Sequence, residues 1–585
     1  MSKKSVTDDR GNGEEKVSSK NRERLQGAAD ARQRPESYTS VCEQTDNTAD
    51  AVPCDRSRKF WRQGEPFVWA TGLALSLILF LTLLLFYVVT VNGLAVFWPK
   101  KVALATLHDG RYLLGEIVQE ETIPHTDKKR LQFKIGNRDL YGLDFKWVDA
   151  SSIVSLSYPE NIYVLERLEF GNFYGYLSEL EVTGISPPAS GSNSLTQTIA
   201  ALDSRKKEVN LLGKKIANLN RRVELIDHRL AKARYDKEEN TPALAALKGE
   251  KHGLKTEFEE LVSILSQKAA ALSTNQAIFA DANGRTKGIA LTNIVRSYQP
   301  NSMSFLAKCS YYLERLRELF FDDPRESNTE GGLFPAIFGT VMLIFLMSIL
   351  SFPLGVLAGI YLREYAKDGV LVKMVRIAVN NLAGIPSIVY GIFGLGFFVY
   401  GIGGGIDQFF FPERLPTPTF GTGGILWTSL TLGLLTVPVV IVATEEALGS
   451  IPPGIREGSQ ALAATKFQTL TRILLPMASP GILTGFILAM ARAAGEVAPL
   501  MITGVVKLAP ALPLDGVFPY LHLDRKFMHL GFHIYDIGFQ SPNVEAAKPM
   551  VYVTTLLLIL IVLVMTSTAI YLRNKMRQHH SIVDV

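Results

Sequence analysis

EGSQALAATKFQTLTRILLP, residues 457 to 476, decides how this chain is read. Its pattern is Glu457-Gly458-Ser459, three residues, Ala463, nine residues, then Ile473, one residue, Leu475 and Pro476. The stretch is polar, has helix-forming character, and lies between two long apolar runs. Arg456, Lys466 and Arg472 make it basic, and basic loops between membrane spans stay on the cytoplasmic side. A cytoplasmic link of roughly thirty residues, spanning 445–476, is longer than a simple connection requires, so it is expected to present a surface helix.

Working outward, six stretches approach the ~20 apolar residues needed to cross a bilayer, at about 68–91, 332–362, 377–401, 423–444, 477–505 and 549–572. Positive charge precedes the first (Arg56, Arg58, Lys59, Arg62), fills 363–376 (Arg363, Lys367, Lys373, Arg376) and follows the last (Arg573, Lys575, Arg577). All spans then agree on one orientation, with both termini cytoplasmic in a multi-pass membrane protein. The first span is too long for a signal-peptide core and lacks a small-x-small cleavage site, so it reads as a signal anchor. The 585 residues average a polar half with an apolar half, giving a mean hydropathy of only +0.15. A net charge of +5, placed beside spans, argues against nucleic acid as a partner. Three cysteines, with Cys42 and Cys54 expected inside and Cys309 outside, do not make a disulfide framework.

Residues 1–66 are charged in both signs and poor in large apolar side chains, so they read as a disordered cytoplasmic tail before the first transmembrane helix at 67–92. Residues 93–200 read as an extracytoplasmic β-rich domain. Val102–Leu107, Tyr112–Val118, Leu131–Ile135 and Ile153–Ser157 alternate with the turns Asp109-Gly110 and Gly136-Asn137, which suits a small barrel or sandwich. Residues 201–278 carry heptads. Val209, Leu212, Ile216, Leu219, Val223, Ile226 and Leu230 form one set; Leu247, Leu254, Phe258, Leu261, Leu265 and Leu272 form another, interrupted at Lys251 and Lys268. Glu238 to Pro242 separates the sets, so an antiparallel coiled-coil hairpin is expected. Residues 279–331 return the chain to a core at 332–572, and 573–585 form a cytoplasmic tail.

The 457–476 spacing resembles the coupling loop of ABC importer permeases, E-A-A-x3-G-x9-I-x-L-P, on which a partner ATPase docks. This chain has Gly458-Ser459 for the two alanines and Ala463 for the glycine. Leu382-Ala383-Gly384-Ile385-Pro386-Ser387-Ile388-Val389-Tyr390-Gly391 looks like the third core helix of phosphate importer permeases, and Arg492-Ala493-Ala494-Gly495-Glu496-Val497-Ala498-Pro499-Leu500 is similar to their R-x2-G-E-x-A-P-L segment. Together these cover about 332–572 and resemble the inner-membrane permease subunit of phosphate ABC importers, PstA type, in a long form with an extracytoplasmic insert. The resemblance implies a six-span α-helical permease core. Glu457, Gly458, Ser459, Ala463, Ile473 and Pro476 would couple to the ATPase, with Arg492, Glu496, Pro386 and Ser387 along the translocation path. It also implies two copies of an ATP-binding subunit carrying ATP and Mg, a second permease of PstC type, an extracytoplasmic phosphate-binding protein and surrounding lipid.

The residues support this independently. No G-x4-G-K-[ST] string occurs, so ATP hydrolysis falls to another polypeptide and the chain itself needs no cofactor. Arg492 and Glu496 are four apart within an apolar run, where charges are costly and line a polar path or pair. Arg is a suitable bidentate partner for phosphate oxygens, although an intrahelical packing pair fits the same spacing. Glu445 and Glu446 read as capping the fourth span. His529 and His533, four apart, and His522 lie among Phe527, Leu530 and Phe532; they read as interfacial rather than metal-binding. Two other functions fit the residues: a permease for another anion or polar solute, and a membrane-anchored sensor or scaffold that acts through its insert.

Overall fold

The computed structural model describes residues 65–125, 128–182, 194–237, 242–516, 518–541 and 543–581. The tail expected at 1–66 therefore lies almost wholly outside the described residues, as do Cys42 and Cys54. Contacts divide the chain after Thr82; the described part of the first unit is the opening of an apolar helix, α1 (Glu65–Ala95).

In the second unit, strands come first: β1 (Val102–Leu107), β2 (Tyr112–Thr122), β3 (Lys129–Lys134), β4 (Phe145–Asp149), β5 (Ile153–Ser157), β6 (Tyr163–Arg167) and β7 (Phe173–Glu181). Two long helices follow, α2 (Ser194–Tyr235) and α3 (Pro242–Ser273), then β8 (Gln276–Ala280), β9 (Thr286–Ala290) and β10 (Ile294–Tyr298). The strands form two five-stranded antiparallel sheets, β4-β3-β2-β1-β5 and β10-β6-β7-β8-β9. These are one topology used twice. In each, the fifth strand pairs with the first, and a single 3-10 turn precedes it (Ala150–Ser152 and Leu291–Asn293). The hairpin α2–α3 is inserted between the second and third strands of the second copy. Residues 276–298, which the sequence places in a hairpin end and a return segment, are thus three strands of a sheet. The pairing Tyr176 with Ala280 closes around the whole hairpin, and local pattern carries no sign of a partner so distant in sequence.

Each sheet curls over an apolar core, Ala103, Leu113, Phe133 and Val148 in the first and Leu165, Phe173, Phe279 and Ile294 in the second. Leu195, Leu202 and Leu272, at the root of the hairpin, join the second core. Within the hairpin, Leu219, Ile226, Leu230, Leu244 and Leu254 pack together. The two lysines that interrupt the heptads bridge to the other arm, Lys251 to Asp227 and Lys268 to Glu208.

Helix α4 (Phe305–Phe321) returns the chain, started by Ser304, whose hydroxyl accepts from Ala307 N. The core then comprises α5 (Phe334–Ile360, continuing as a π turn to Tyr365), α6 (Val370–Leu382), α7 (Ser387–Phe410), α8 (Ile425–Gly449), α9 (Pro453–Ala461), α10 (Lys466–Gly495), α11 (Ala498–Thr503), α12 (Leu530–Tyr535) and α13 (Val544–Ser581). Six helices among the described residues are long and apolar enough to cross a membrane, including α1, α5, α7, α8, α10 and α13. The third begins at Ser387 rather than 377, because the Ala383–Pro386 turn splits off α6. The last helix runs through 573–581 without a break.

Helix α8 is the most buried of the six. Gly355 and Gly359 on α5 meet Val440 and Thr444, where an added Cβ would lie 2.7 Å from each side chain. On its other flank Gly481 and Gly485 of α10 meet Ala447 and Ala443, and added Cβ atoms would lie 2.6 and 2.1 Å from theirs. Two Gly-x3-Gly faces thus bring three backbones together at distances that larger residues forbid.

A buried ionic cluster joins the second sheet to α4, which leads into the core. Glu166 on β6 and Glu318 on α4 are both about 5% exposed and share Arg296 (2.7 and 3.2 Å) and Arg315 (3.0 and 2.8 Å); Arg325 also reaches Glu318, and Tyr311 donates to Glu166. Burial alone would raise the Glu318 carboxyl, but Arg315, Arg325 and Arg296 outweigh it and hold it below the usual range. Its folded pKa is depressed, so its contribution is complete above the unfolded Glu value and is lost as pH falls through the folded one. Glu318→Gln is expected to cost about 3–5 kcal/mol by stranding buried guanidinium charge. Thermal unfolding of the purified protein from pH 7 down to about pH 2 checks this: the substitution lowers the neutral-pH midpoint and flattens the fall below the ordinary Glu range.

Candidate functional site

Two regions of the core carry exposed or half-buried charge. The first connects α8 to α10. Glu445, on α8, accepts from Arg376 of α6 at 2.8 Å, which neutralises it and lets the helix run on to Gly449. At the other end Thr465 and Gln468 form a reciprocal capping box, so α10 starts at Lys466. The connection is therefore 450–465, half the length the sequence suggests, and the span expected at 477–505 begins eleven residues earlier. The T-x-x-Q signature of that cap was legible in the sequence.

Helix α9 lies in this connection. Arg456 clamps it to the core, donating to Ile451 O (2.9 Å), Leu448 O (2.7 Å) and Glu364 (2.8 Å). The Ser459 hydroxyl is buried and 2.8 Å from that of Thr469, tying α9 to the first turn of α10. Beneath lie Ile360, Leu448, Ile451, Leu470 and Leu474. Between the two layers is a cavity of about 140 Å³, lined by Glu364, Arg456, Gln460, Lys466 and Thr469. Outward, Glu457 and Gly458 are exposed, with Leu462 at 86% and Phe467 at 67% exposure. Ala463 adopts φ +60°, the left-handed conformation that a glycine favours. The turn is made even though the residue is alanine. Ile473 sits in a π turn, Leu470–Leu474, and Pro476, which has no N–H to donate, follows two residues later.

The second region is a break. Helix α10 ends at Gly495, and Glu496 is extended (φ −79°, ψ 132°), so Arg492 and Glu496 do not share a helical face as their spacing suggests. The span stops there, and the chain turns into the short α11. Arg492 Nε lies 3.7 Å from Glu496 Oε1 and its Nη1 lies 3.4 Å from Ala383 O. Ala383 opens the turn that ends at Pro386, the residue before α7, and Ser387 starts that helix. Gly391 of α7 meets Pro499 of α11 so closely that an added Cβ would lie 2.7 Å from its Cα. The Arg492 segment and the Ala383–Ser387 segment, about 110 residues apart, thus meet at one place. The glycine contacts with α8 set the level: extending the Gly485–Ala443 register by seven residues puts Arg492 opposite Thr436, near the midpoint of α8. Arg492 is 36% exposed there and Glu496 20%.

His529 and His533 are buried, which pushes them down to about 3 and about 4, so both are neutral. His533 bridges Asn328 O (3.2 Å) and the Thr554 hydroxyl (3.2 Å), while His522 lies 3.1 Å from Asp515. Among the described residues no group of three or more His, Cys, Asp or Glu could hold a metal ion.

Residues 351–578 match the family described as binding-protein-dependent transport system inner membrane component. A Methanocaldococcus jannaschii protein named as a probable phosphate transport system permease protein PstA is 34% identical over 37% of this chain and 67% of its own length. A Bacillus subtilis protein named as a probable ABC transporter permease protein YqgI is 31% identical over 37% of this chain and 70% of its own length. The Yersinia pestis phosphate transport system permease protein PstA is 37% identical over 31% of this chain and 56% of its own length.

The strain at Ala463 gives a direct test of the turn. Ala463→Gly is expected to stabilise the protein by about 0.5–1 kcal/mol, and Ala463→Val to destabilise it by more. Thermal unfolding in detergent reads both, and equal midpoints for the three proteins would refute the left-handed turn.

Proposed function

Because the chain belongs to the family of inner membrane components of binding-protein-dependent transport systems, we propose that it is the PstA-type permease subunit of an ATP-driven importer of inorganic phosphate. The observation that carries this reading is the Arg492–Glu496 pair. A half-exposed charge pair at the mid-height of a membrane-spanning bundle cannot face lipid without large cost, so it faces a polar path or a partner that completes one. The broken backbone at 496–497 leaves peptide groups that only a protein-lined or watered space accommodates. An anion with several oxygens suits Arg492 as a fork of N–H donors. Glu496, close to it, holds the guanidinium when no anion is present, and the Ala383–Pro386–Ser387 turn borders the same space. The relatives named as phosphate permeases support phosphate as that anion.

Helix α9 and the turn that joins it to the start of α10 form the coupling element. Glu457, Leu462 and Phe467 offer an ATPase subunit one charge and two apolar anchors, while Arg456, Ser459 and Thr469 transmit displacement of α9 into α8 and α10. Ile473 and Pro476 place the compliant turn where α10 enters the bundle. The basic segments put this surface and both termini in the cytoplasm and the insert outside. Two copies of an ATP-binding subunit carrying ATP and Mg, a PstC-type second permease and an extracytoplasmic phosphate-binding protein complete the importer.

Leu462→Ser with Phe467→Ser removes burial of about 1.5–3 kcal/mol per side chain at the ATPase contact. The ATPase subunit is then expected to be lost on purification, and Glu457→Ala to weaken it less; full retention in both would count against α9 and its turn as the coupling element. Arg492→Ala should reduce phosphate uptake into proteoliposomes at least tenfold, a loss of about 1.4 kcal/mol or more, with assembly and ATP hydrolysis retained. Uptake at the unaltered rate, or competition by sulfate or molybdate as strong as by phosphate, would sink the assignment.

A further inference from the structure

The α7–α8 connection and the residues between α11 and α13 follow the third and fifth spans, so they lie at the same end of the core as the insert, which follows the first. Helix α2 is fixed to both. Arg221 Nη1 lies 2.9 Å from Asp515 Oδ2, and that carboxylate is also held by Arg525 (2.7 Å) and His522 (3.1 Å). The same helix packs against Pro412–Arg414. With its root in the core of the second sheet and this anchor about 40 Å farther along, α2 is a beam laid across the end of the permease.

The beam's charge is uneven. Helix α2 carries ten Lys and Arg against four Asp and Glu, whereas its partner α3 carries four of each. At about 100° per residue, Leu211, Lys214, Arg222, Leu225, Arg229 and Lys232 fall in one arc of about 80°. This arc lies between the Leu219–Ile226–Leu230 stripe that packs on α3 and the edge where Arg221 grips the core. Its four basic residues are exposed, and Leu211 and Leu225 among them are 60% and 41% exposed.

We propose that this arc is a docking surface for the soluble solute-binding protein of the system, which meets it with an acidic patch and with apolar side chains covering Leu211 and Leu225. The inference rests on the importer reading above. A binding-protein-dependent permease has to be visited, on its outer face, by a folded carrier, and a helix lying across both outer connections stands in that carrier's way. A basic stripe, of which Arg222 also lies 3.6 Å from the exposed Glu250 of α3, favours fast, salt-sensitive encounter with an oppositely charged surface. The two leucines supply the short-range, salt-independent part of the contact.

The test uses the complete transporter in proteoliposomes, with ATP hydrolysis followed against the concentration of purified phosphate-binding protein. Reversing the arc (Lys214→Glu, Arg222→Glu, Arg229→Glu, Lys232→Glu) is expected to raise the half-saturating concentration about tenfold or more at low salt. Maximal hydrolysis, and hydrolysis without binding protein, should be unchanged. Raising salt from about 50 to about 300 mM should weaken the unaltered transporter but not the reversed one. Leu211→Ser with Leu225→Ser keeps every charge and should raise the half-saturating concentration by about threefold or more at any salt. Unchanged half-saturation in both variants overturns the proposal, as does a photo-crosslinker at Leu225 that captures a second copy of this chain. An unaltered transporter whose hydrolysis does not respond to the binding protein refutes the importer reading itself, and the docking surface falls with it.

Discussion

The close approach of three helix backbones around α8 is the constraint on which the rest of the core depends. In hydrocarbon there is no gain from hiding one apolar side chain against another, so helices associate through close packing. Gly355, Gly359, Gly481 and Gly485 remove the side chains that would hold α5 and α10 away from α8. That contact fixes the register of α10, and the register puts Arg492 at mid-height. The same register puts the end of α8 opposite Ser479, so the first turns of α10 run on past α8, and α9 packs against that extension through Ser459 and Thr469.

The insert follows a different physics. Its two sheets bury ordinary apolar cores, the second sheet is held to α4 by ion pairs, and α4 meets the membrane part through apolar Leu319. The Glu166, Arg296, Arg315, Glu318 and Arg325 cluster keeps charges out of water, which is tolerable because Glu166, Arg296, Arg315 and Glu318 each have more than one opposite partner. Such a joint is directional in a way an apolar contact is not. It fixes α4 against β6, and Leu333 N donating to Leu319 O (2.8 Å) carries that rigidity into the start of α5. Asn543 donating to Asp144 at 2.6 Å adds a second tie near the start of α13. The insert is held in place rather than tethered, which is what allows α2 to lie across the permease.

Much of the candidate site was legible because its residues break local rules. Arg492 and Glu496 are charges within an apolar run, and Glu457 opens a polar segment between spans. The helix ends were less legible. Glu445 and Lys466 looked like loop residues because charge usually marks the end of a span; here Arg376 neutralises the first and a Thr465–Gln468 cap starts the helix before the second. The break at Gly495 was signalled by Gly495 and Pro499, but the apolar run continues through it and reads as one span.

Sequence alone determined the number of apolar spans, the heptads of the hairpin, the short strands at 102–157 and the chemistry of the charged residues. Each of these is set by the period or length of a local pattern. Tertiary structure decided that β8–β10 close a second copy of the first sheet, that the Arg492 and Ala383–Ser387 segments meet, and that α2 reaches Asp515. These depend on pairings between residues about a hundred or more positions apart, or nearly three hundred for Arg221 and Asp515. Such pairings leave no trace in a local period, because what selects them is close packing and charge neutralisation between surfaces that exist only once the chain has folded.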